Sequence, residues 1–163
     1  MYKGILKLGV AFVGFLLLPL GSAVHASSST IAHLQSNTAN ELRSTITNGS
    51  RSYTLQLRDS SLQGGRLIDQ PRDAIPPQGA EGKSYAIPIA RSPSIIQKIE
   101  YNVAYEGKKV GVCYFSIQNH INNKPIEYDV TCEMKDSAPY PVTTMKRAKT
   151  ADKVDTVEFL VTN

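Results

Sequence analysis

Three successive segments between residues 97 and 134 alternate apolar and polar side chains, and this alternation restricts the fold more than any other feature. In the first segment the apolar positions are Ile99, Tyr101, Val103 and Tyr105. A period of two is typical of a β-strand with one buried side and one side facing water. The three segments are therefore predicted to form neighbouring strands of one sheet.

A single register brings the apolar positions of these strands onto one face. The pairs predicted across a first turn at Gly107-Lys108-Lys109 are Val103 with Cys113, Tyr101 with Phe115 and Ile99 with Ile117. The pairs predicted across a second turn near Asn122-Asn123 are Cys113 with Cys132, Phe115 with Val130, Ile117 with Tyr128 and Asn119 with Ile126. A shift of one residue would move every side chain to the opposite face, so this agreement indicates an antiparallel meander.

Strand signals also precede and follow the meander. The dipeptide Asn48-Gly49 predicts a hairpin of residues 42–48 with residues 50–58, because it is the dipeptide best suited to a type I′ turn. In that hairpin Leu42 faces Leu55. The inward-facing positions predicted for the remaining strands are Tyr53, Leu55, Leu57, Tyr85, Ile87, Ile89, Val157, Phe159 and Val161.

The remaining stretches contain turn residues and are predicted to be loops. Residues 59–83 hold three prolines and four glycines, with room for a short strand near residues 66–68. Pro88 restricts the strand that follows to a sheet edge, since proline cannot donate a ladder hydrogen bond. Residues 135–153 are predicted to form a basic, proline-containing loop. Seven or eight short strands and no long helix predict an all-β fold, a single antiparallel β-sandwich over residues 42–163, with a small β-barrel as the alternative.

The N-terminal residues predict export. Lys3 and Lys7 precede an apolar run, and small residues follow it, which is the pattern of a cleaved signal peptide over residues 1–26. Cleavage is expected after Ala26, with Ala23 as the second choice. A permanent membrane anchor is disfavoured because the apolar run is shorter than the about 20 apolar residues that are needed to span a bilayer. Residues 27–41 are polar and predicted to be a flexible segment, and the mature protein is expected to be secreted or periplasmic.

Without the signal peptide the chain carries 16 basic and 14 acidic residues. A nucleic-acid-binding protein is therefore not expected, because such proteins usually present a strongly basic face. Beyond the signal peptide no second apolar stretch approaches membrane-spanning length.

Cys113 and Cys132 are the only cysteines, and in an exported protein they are predicted to form a disulfide. Closing a loop of this length contributes about 3 kcal/mol in the chain-entropy model. A catalytic thiol is rejected, because His120 would lie several strand pairs from Cys113. His33 and His120 have no second ligand at metal-binding spacing, so no metal or other cofactor is expected.

Two groups of residues are candidate binding surfaces. The register places Glu100 and Asp129 roughly 9–10 Å apart across Ser116 on the outer face of the meander, a spacing used by inverting glycosidases and compatible with glycan binding. A solvated sheet face is the alternative. The full predicted face comprises Glu100, Asn102, Tyr114, Ser116, Gln118, Glu127 and Asp129.

The second candidate is a basic contact for anionic lipid or polysaccharide, formed by Lys146, Arg147, Lys149 and Lys153. The connection over residues 59–83 is a further candidate because of its length.

Residues 42–90 resemble the opening half of the aegerolysins. The residues that carry the resemblance are the turn Thr47-Asn48-Gly49-Ser50 and then Leu55, Leu62, Gly65, Pro71 and Ile75-Pro76. The resemblance implies a small secreted β-sandwich that binds membrane lipids, and it assigns no lipid-recognition residue.

These observations favour a non-enzymatic exported protein that binds a protein, glycan or lipid surface. One alternative is a small exported hydrolase whose site has no recognisable motif. Another is an inhibitory or structural module that docks on a second exported protein through an edge strand.

Overall fold

The computed structural model describes residues 39–120 and 124–163, and within them the chain forms ten β-strands and no helix. The predicted signal peptide and residues 27–38 of the predicted flexible segment lie outside the described residues. The strands are β1 Glu41–Asn48, β2 Tyr53–Gln63, β3 Gly65–Asp69, β4 Ala74–Ile75, β5 Ala80–Pro88, β6 Ser94–Tyr105, β7 Lys108–His120, β8 Glu127–Met134, β9 Thr143–Ala151 and β10 Val154–Thr162.

The strands form two sheets of five. The first sheet has the order β3-β5-β1-β10-β9 and the second has the order β4-β2-β6-β7-β8. The predicted all-β sandwich is confirmed, with ten strands rather than seven or eight. Two separate sheets exclude the alternative of a small closed barrel. The antiparallel prediction holds for every paired strand except β1 with β10, which run parallel.

The core lies between the sheets. Val157, Phe159 and Val161 point inward from β10 as predicted, and all three are buried. They belong to one buried cluster with side chains of β6 and β7, and the rings of Phe115 and Phe159 pack edge to face with centroids 5.2 Å apart. Full burial of one such side chain contributes about 1.5–3 kcal/mol to folding, so this layer supplies much of the driving force.

The second half of the meander follows the predicted register. Cys113 faces Cys132, Phe115 faces Val130 and Ile117 faces Tyr128. Cys113 and Cys132 form the predicted disulfide, with Cα atoms 4.0 Å apart. The predicted pair of Asn119 with Ile126 lies beyond the last paired residues of β8.

The first half of the meander differs from the prediction by two residues, and Tyr101, not Val103, faces Cys113. The turn consists of Glu106 and Gly107 alone, both with positive φ (49° and 77°), as a two-residue type I′ turn requires. A bulge beside Val103 then shifts the register. Because the error is an even number of residues, each side chain keeps its predicted face.

The predicted hairpin of residues 42–48 with residues 50–58 is wrong. β1 lies in the first sheet between β5 and β10, whereas β2 lies in the second sheet, so residues 49–52 cross from one sheet to the other. Leu42 faces Ala86 and Asp155 instead of Leu55. Tyr53 and Leu55 are nevertheless fully buried, as their alternation predicts.

The prediction of one long loop over residues 59–83 is also wrong. β2 continues to Gln63 after a bulge near Arg58, and β5 begins at Ala80. The short strand expected near residues 66–68 is confirmed as β3.

β5 presents the opposite face to the one predicted. Gly82, Ser84 and Ala86 point into the core, whereas Ile89 is exposed. Small residues are needed there, because a Cβ atom on Gly82 would lie 2.5 Å from the Cδ1 atom of Ile75. The strand is not an edge either, since it lies between β3 and β1 and Pro88 stands at its end.

Candidate functional site

The outer face of β6, β7 and β8, called here the polar face, is the surface that the sequence singles out. Because the register between β6 and β7 is shifted, the residues that face one another across the three strands differ from those predicted. Each such set of facing residues is called a row. The observed rows are Ile96, Gln118 and Glu127; Lys98, Ser116 and Asp129; Glu100, Tyr114 and Thr131; and Asn102, Val112 and Glu133. Glu100 and Asp129 therefore do not face each other across Ser116, and the predicted alignment of the two carboxylates is not formed.

Three carboxylates of the polar face contact basic side chains within the protein. Glu100 lies 3.3 Å from the guanidinium of Arg58. Lys146 reaches across from β9 and donates a hydrogen bond of 2.5 Å to Asp129, which holds the pKa of that carboxyl below its usual value. His120 lies 3.5 Å from Glu127. These three carboxylates therefore already have partners within the protein.

Four of the seven predicted polar-face residues line one shallow groove of about 330 Å³. They are Ser116, Gln118, Glu127 and Asp129. Glu100 and Tyr114 belong to the next row, and Asn102 is largely covered, with an Oδ1 atom that has no hydrogen-bond partner among the described residues. The seven residues therefore do not converge on one site.

The predicted basic loop is a strand, β9, and its cations do not form one patch. Lys146 points toward the edge of the second sheet and holds Asp129. Arg147 points outward and pairs with Glu158. Lys149 is exposed on the same outer face, and Lys153 lies in the turn before β10 with a positive φ of 62°. Alternation along a strand, which the loop prediction ignored, separates Lys146 from its neighbours.

Neither thiol nor metal chemistry gains support from the geometry. Both cysteines are held in the disulfide. Within residues 39–120 and 124–163 no group of three His, Cys, Asp or Glu side chains could hold a metal ion.

A third surface, which the sequence reasoning missed, lies at the end of the sandwich where β1, β6 and β10 finish. Asn48, the last residue of β1, is fully buried there and organises the surrounding loops. Its amide nitrogen donates to the carbonyls of Tyr53 (2.7 Å) and Ile75 (2.9 Å). Its amide oxygen accepts from the backbone nitrogen and the hydroxyl of Ser50. This use of Asn48 explains why the Asn-Gly dipeptide does not form a hairpin turn.

Three tyrosines form the centre of this surface, which we call the tyrosine end. Successive rings pack edge to face, with centroids 6.0 Å apart for Tyr53 and Tyr105 and 6.4 Å apart for Tyr105 and Tyr140. The buried Tyr53 hydroxyl donates to the carbonyl of Tyr140 (2.7 Å) and accepts from its backbone nitrogen (3.0 Å). Tyr140 is thereby fixed in place although 49% of it is exposed.

The tyrosine end contains a pocket of about 340 Å³. Its lining residues are Arg51, Ser52, Tyr105, Tyr140 and Asn163. The Asn163 side chain joins the loop to the chain end, accepting from the Arg51 backbone nitrogen (2.8 Å) and donating to the Ser52 hydroxyl (3.1 Å). The carboxylate of Glu106 raises the pKa of the Tyr105 phenol above its ordinary value. The pocket therefore offers two aromatic rings, neutral polar groups and one guanidinium.

One local signal in the sequence points to this surface. Pro139 and Pro141 bracket Tyr140. Proline restricts the backbone on both sides, so an exposed ring between two prolines is held outward at low entropic cost. The other lining residues are distant in sequence, and only the fold brings them together.

Comparison with known proteins supports the fold. No protein-family model matches the sequence, and no curated protein has significant sequence similarity to it. The crystal structure of the lipid binding protein Nakanori is similar, with a TM-score of 0.61 and 9% identity, covering 82% of this chain and 76% of that chain. The RahU protein, solved in complex with a TRIS molecule, gives a TM-score of 0.47 and 14% identity over 76% of this chain and 93% of that chain.

The likeness to Nakanori establishes a related β-sandwich fold. It agrees, at the level of fold, with the sandwich that the aegerolysin resemblance implies. The part of the chain that the structure describes includes no helix long and apolar enough to cross a bilayer.

Proposed function

We propose that this protein is a non-enzymatic binding protein that docks on a lipid surface through its tyrosine end. The observation that carries the proposal is Tyr140, a half-exposed ring held rigidly beside a pocket by Tyr53, Tyr105 and two flanking prolines. An exposed aromatic ring on an ordered loop has an unfavourable contact with water that docking would remove.

The chemistry of the pocket suits the boundary between headgroups and hydrocarbon. Tyrosine combines an apolar ring with a polar tip, and it is enriched where one end of a side chain is dry and the other wet. Arg51 is exposed at the rim and makes no ion pair with any residue that the structure describes. A guanidinium binds phosphate oxygens well, so Arg51 would contact the phosphate of a headgroup. The fold shared with a protein described as lipid-binding is compatible with this assignment.

The alternative functions have weaker support than lipid docking. Glycan binding or hydrolysis there would have to displace the ion pairs of Glu100 and Asp129. Docking of an inhibitory module through the Pro88 strand loses its basis, because β5 is not an edge. Lipid docking requires no rearrangement of these groups.

Export completes the proposal. A signal peptide over residues 1–26, removed after Ala26 or after Ala23, would deliver the protein to the periplasm or the cell exterior. The disulfide supports this route, because disulfides persist in oxidising compartments. Ala39, the first described residue, lies at the opposite end of the sandwich beside Ser92.

Flotation of the purified protein with vesicles of phosphatidylcholine, alone and with phosphatidylglycerol, tests the proposal. Wild type is expected to float, and Tyr140→Ala to bind about tenfold less, the usual loss for a central aromatic anchor. Glu100→Gln, on the polar face, is the matched control and should bind within about twofold of wild type. Failure of wild type to float on either vesicle would overturn the proposal. Loss with Glu100→Gln but not with Tyr140→Ala would move the site to the polar face.

A further inference from the structure

A groove of about 480 Å³ runs along the outer surface of the first sheet, over β10 and β9. Thr47, Met145 and Leu160 lie in it, and Arg147 and Glu158 stand further along the same two strands. It is separate from the polar face, which belongs to the other sheet. Its volume falls in the range of small-molecule sites, about 300–1,000 Å³.

The end of the groove nearest the tyrosine end is apolar. Met145 and Leu160 are directly opposite each other in the strand register, and Met145 is 59% exposed. An exposed methionine on an edge strand, beside a leucine of the neighbouring strand, is an apolar surface without a protein partner among the described residues. Methionine also adapts its shape to alkyl groups better than a branched residue does.

The other end of the groove is cationic. Two residues along from Met145, Arg147 is paired with Glu158, so that carboxylate is already neutralised. Two residues further, Lys149 faces Thr156 across an adjoining depression of about 220 Å³. Lys149 makes no ion pair within the described part of the chain. Lys149 lies four positions along the strand from Met145, a rise of about 13 Å.

We propose that this groove binds one long-chain carboxylate anion as a monomer, with the alkyl chain over Met145 and Leu160 and the carboxylate at Lys149. The arrangement of charges favours an anionic ligand, because the charged group without an ion pair is the cation Lys149. Its distance from the apolar surface at Met145 matches the length of a ligand with a long alkyl chain. The proposal goes beyond surface docking, since it concerns another face and does not require the tyrosine end.

Titration of isotope-labelled protein with monomeric dodecanoate, below its micelle concentration, tests the proposal by amide chemical shifts. Saturable shifts confined to β9, β10 and the end of β1 are expected. Met145→Asp should weaken binding about tenfold or more, because it places a carboxylate in the alkyl site. Lys149→Glu should weaken binding several-fold, and dodecanol should bind wild type several-fold more weakly than dodecanoate.

The control variants lie on the other surfaces. Lys98→Glu on the polar face and Tyr140→Ala at the tyrosine end should both bind dodecanoate as wild type does, so this site and the lipid-docking site fail independently. Met145 is exposed on an edge strand, and Met145→Gln provides a milder second variant that keeps its length. Unchanged dodecanoate affinity in both Met145 variants would overturn the proposal. Equal binding of dodecanol, or binding seen only with vesicles, would overturn it as well.

Discussion

The polar face and the tyrosine end differ in whether their functional side chains already have partners within the protein. On the polar face, Glu100 and Asp129 each have a cation from a neighbouring strand. At the tyrosine end the backbone is held by buried hydrogen bonds, while the ring of Tyr140 and the guanidinium of Arg51 remain open to solvent. A rich set of charges is therefore a poor indicator of a site when those charges pair internally. Rigid support beneath an exposed ring is the better indicator.

The largest effect on stability is expected from Asn48→Ala, with Asn102→Ala on the polar face as its matched control. Asn48 makes four hydrogen bonds, so its removal leaves buried groups unpaired and should lower the free energy of unfolding by about 3 kcal/mol. Asn102 has an Oδ1 atom without a partner among the described residues, and its removal should change stability by less than about 1 kcal/mol. Denaturant unfolding measures both. Equal losses would contradict the difference drawn between the two regions.

A smaller effect is expected from Tyr53→Phe. The substitution removes the hydroxyl that joins both backbone groups of Tyr140 and should cost about 1 kcal/mol. Faster hydrogen exchange at the Tyr140 amide and weaker vesicle binding should accompany the loss. Tyr114→Phe on the polar face is the control, because the Tyr114 hydroxyl makes no hydrogen bond with the residues described. Unaltered exchange at Tyr140 in Tyr53→Phe would show that the hydroxyl does not position the ring.

The smallest effect concerns Asp129 and pH. The hydrogen bond from Lys146 lowers the pKa of this carboxyl in the folded state, so the contact stabilises the fold above the ordinary aspartate pKa. That stabilisation is lost as pH falls through the lowered pKa. Lys146→Met should return the pKa of Asp129 toward its ordinary value, measured by carbon NMR of the carboxyl group. An unchanged pKa would mean that Lys146 does not pair with Asp129 as the structure indicates.

The sequence predicts the fold best where two constraints coincide. In β7 and β8 the alternation and the pairing of Cys113 with Cys132 select the same register, and both are correct. Between β6 and β7 alternation acts alone, and it cannot exclude an even shift produced by a tighter turn and a bulge.

Prediction fails where one residue has a role that only the fold reveals. Asn48 has the signature of a hairpin turn but serves as a buried support between sheets. The isoleucines of the Pro88 segment suggest a core face, yet Gly82 and Ser84 occupy it because Ile75 and its neighbours already fill the space.

The tyrosine end lies beyond local prediction for the same reason. Arg51, Tyr105, Tyr140 and Asn163 come from four separate parts of the chain. Only the Pro-Tyr-Pro sequence around Tyr140 indicates this surface, and it does not predict which other residues line the pocket.

The most direct test of the account uses the absence of tryptophan from the sequence. Tyr140→Trp places a single fluorophore at the tyrosine end, and Glu127→Trp places one on the polar face. Both proteins are mixed with vesicles that carry brominated acyl chains. The account predicts a blue-shifted emission and strong bromine quenching for Tyr140→Trp, with neither change for Glu127→Trp. Quenching of Glu127→Trp alone, or of neither probe, would contradict it.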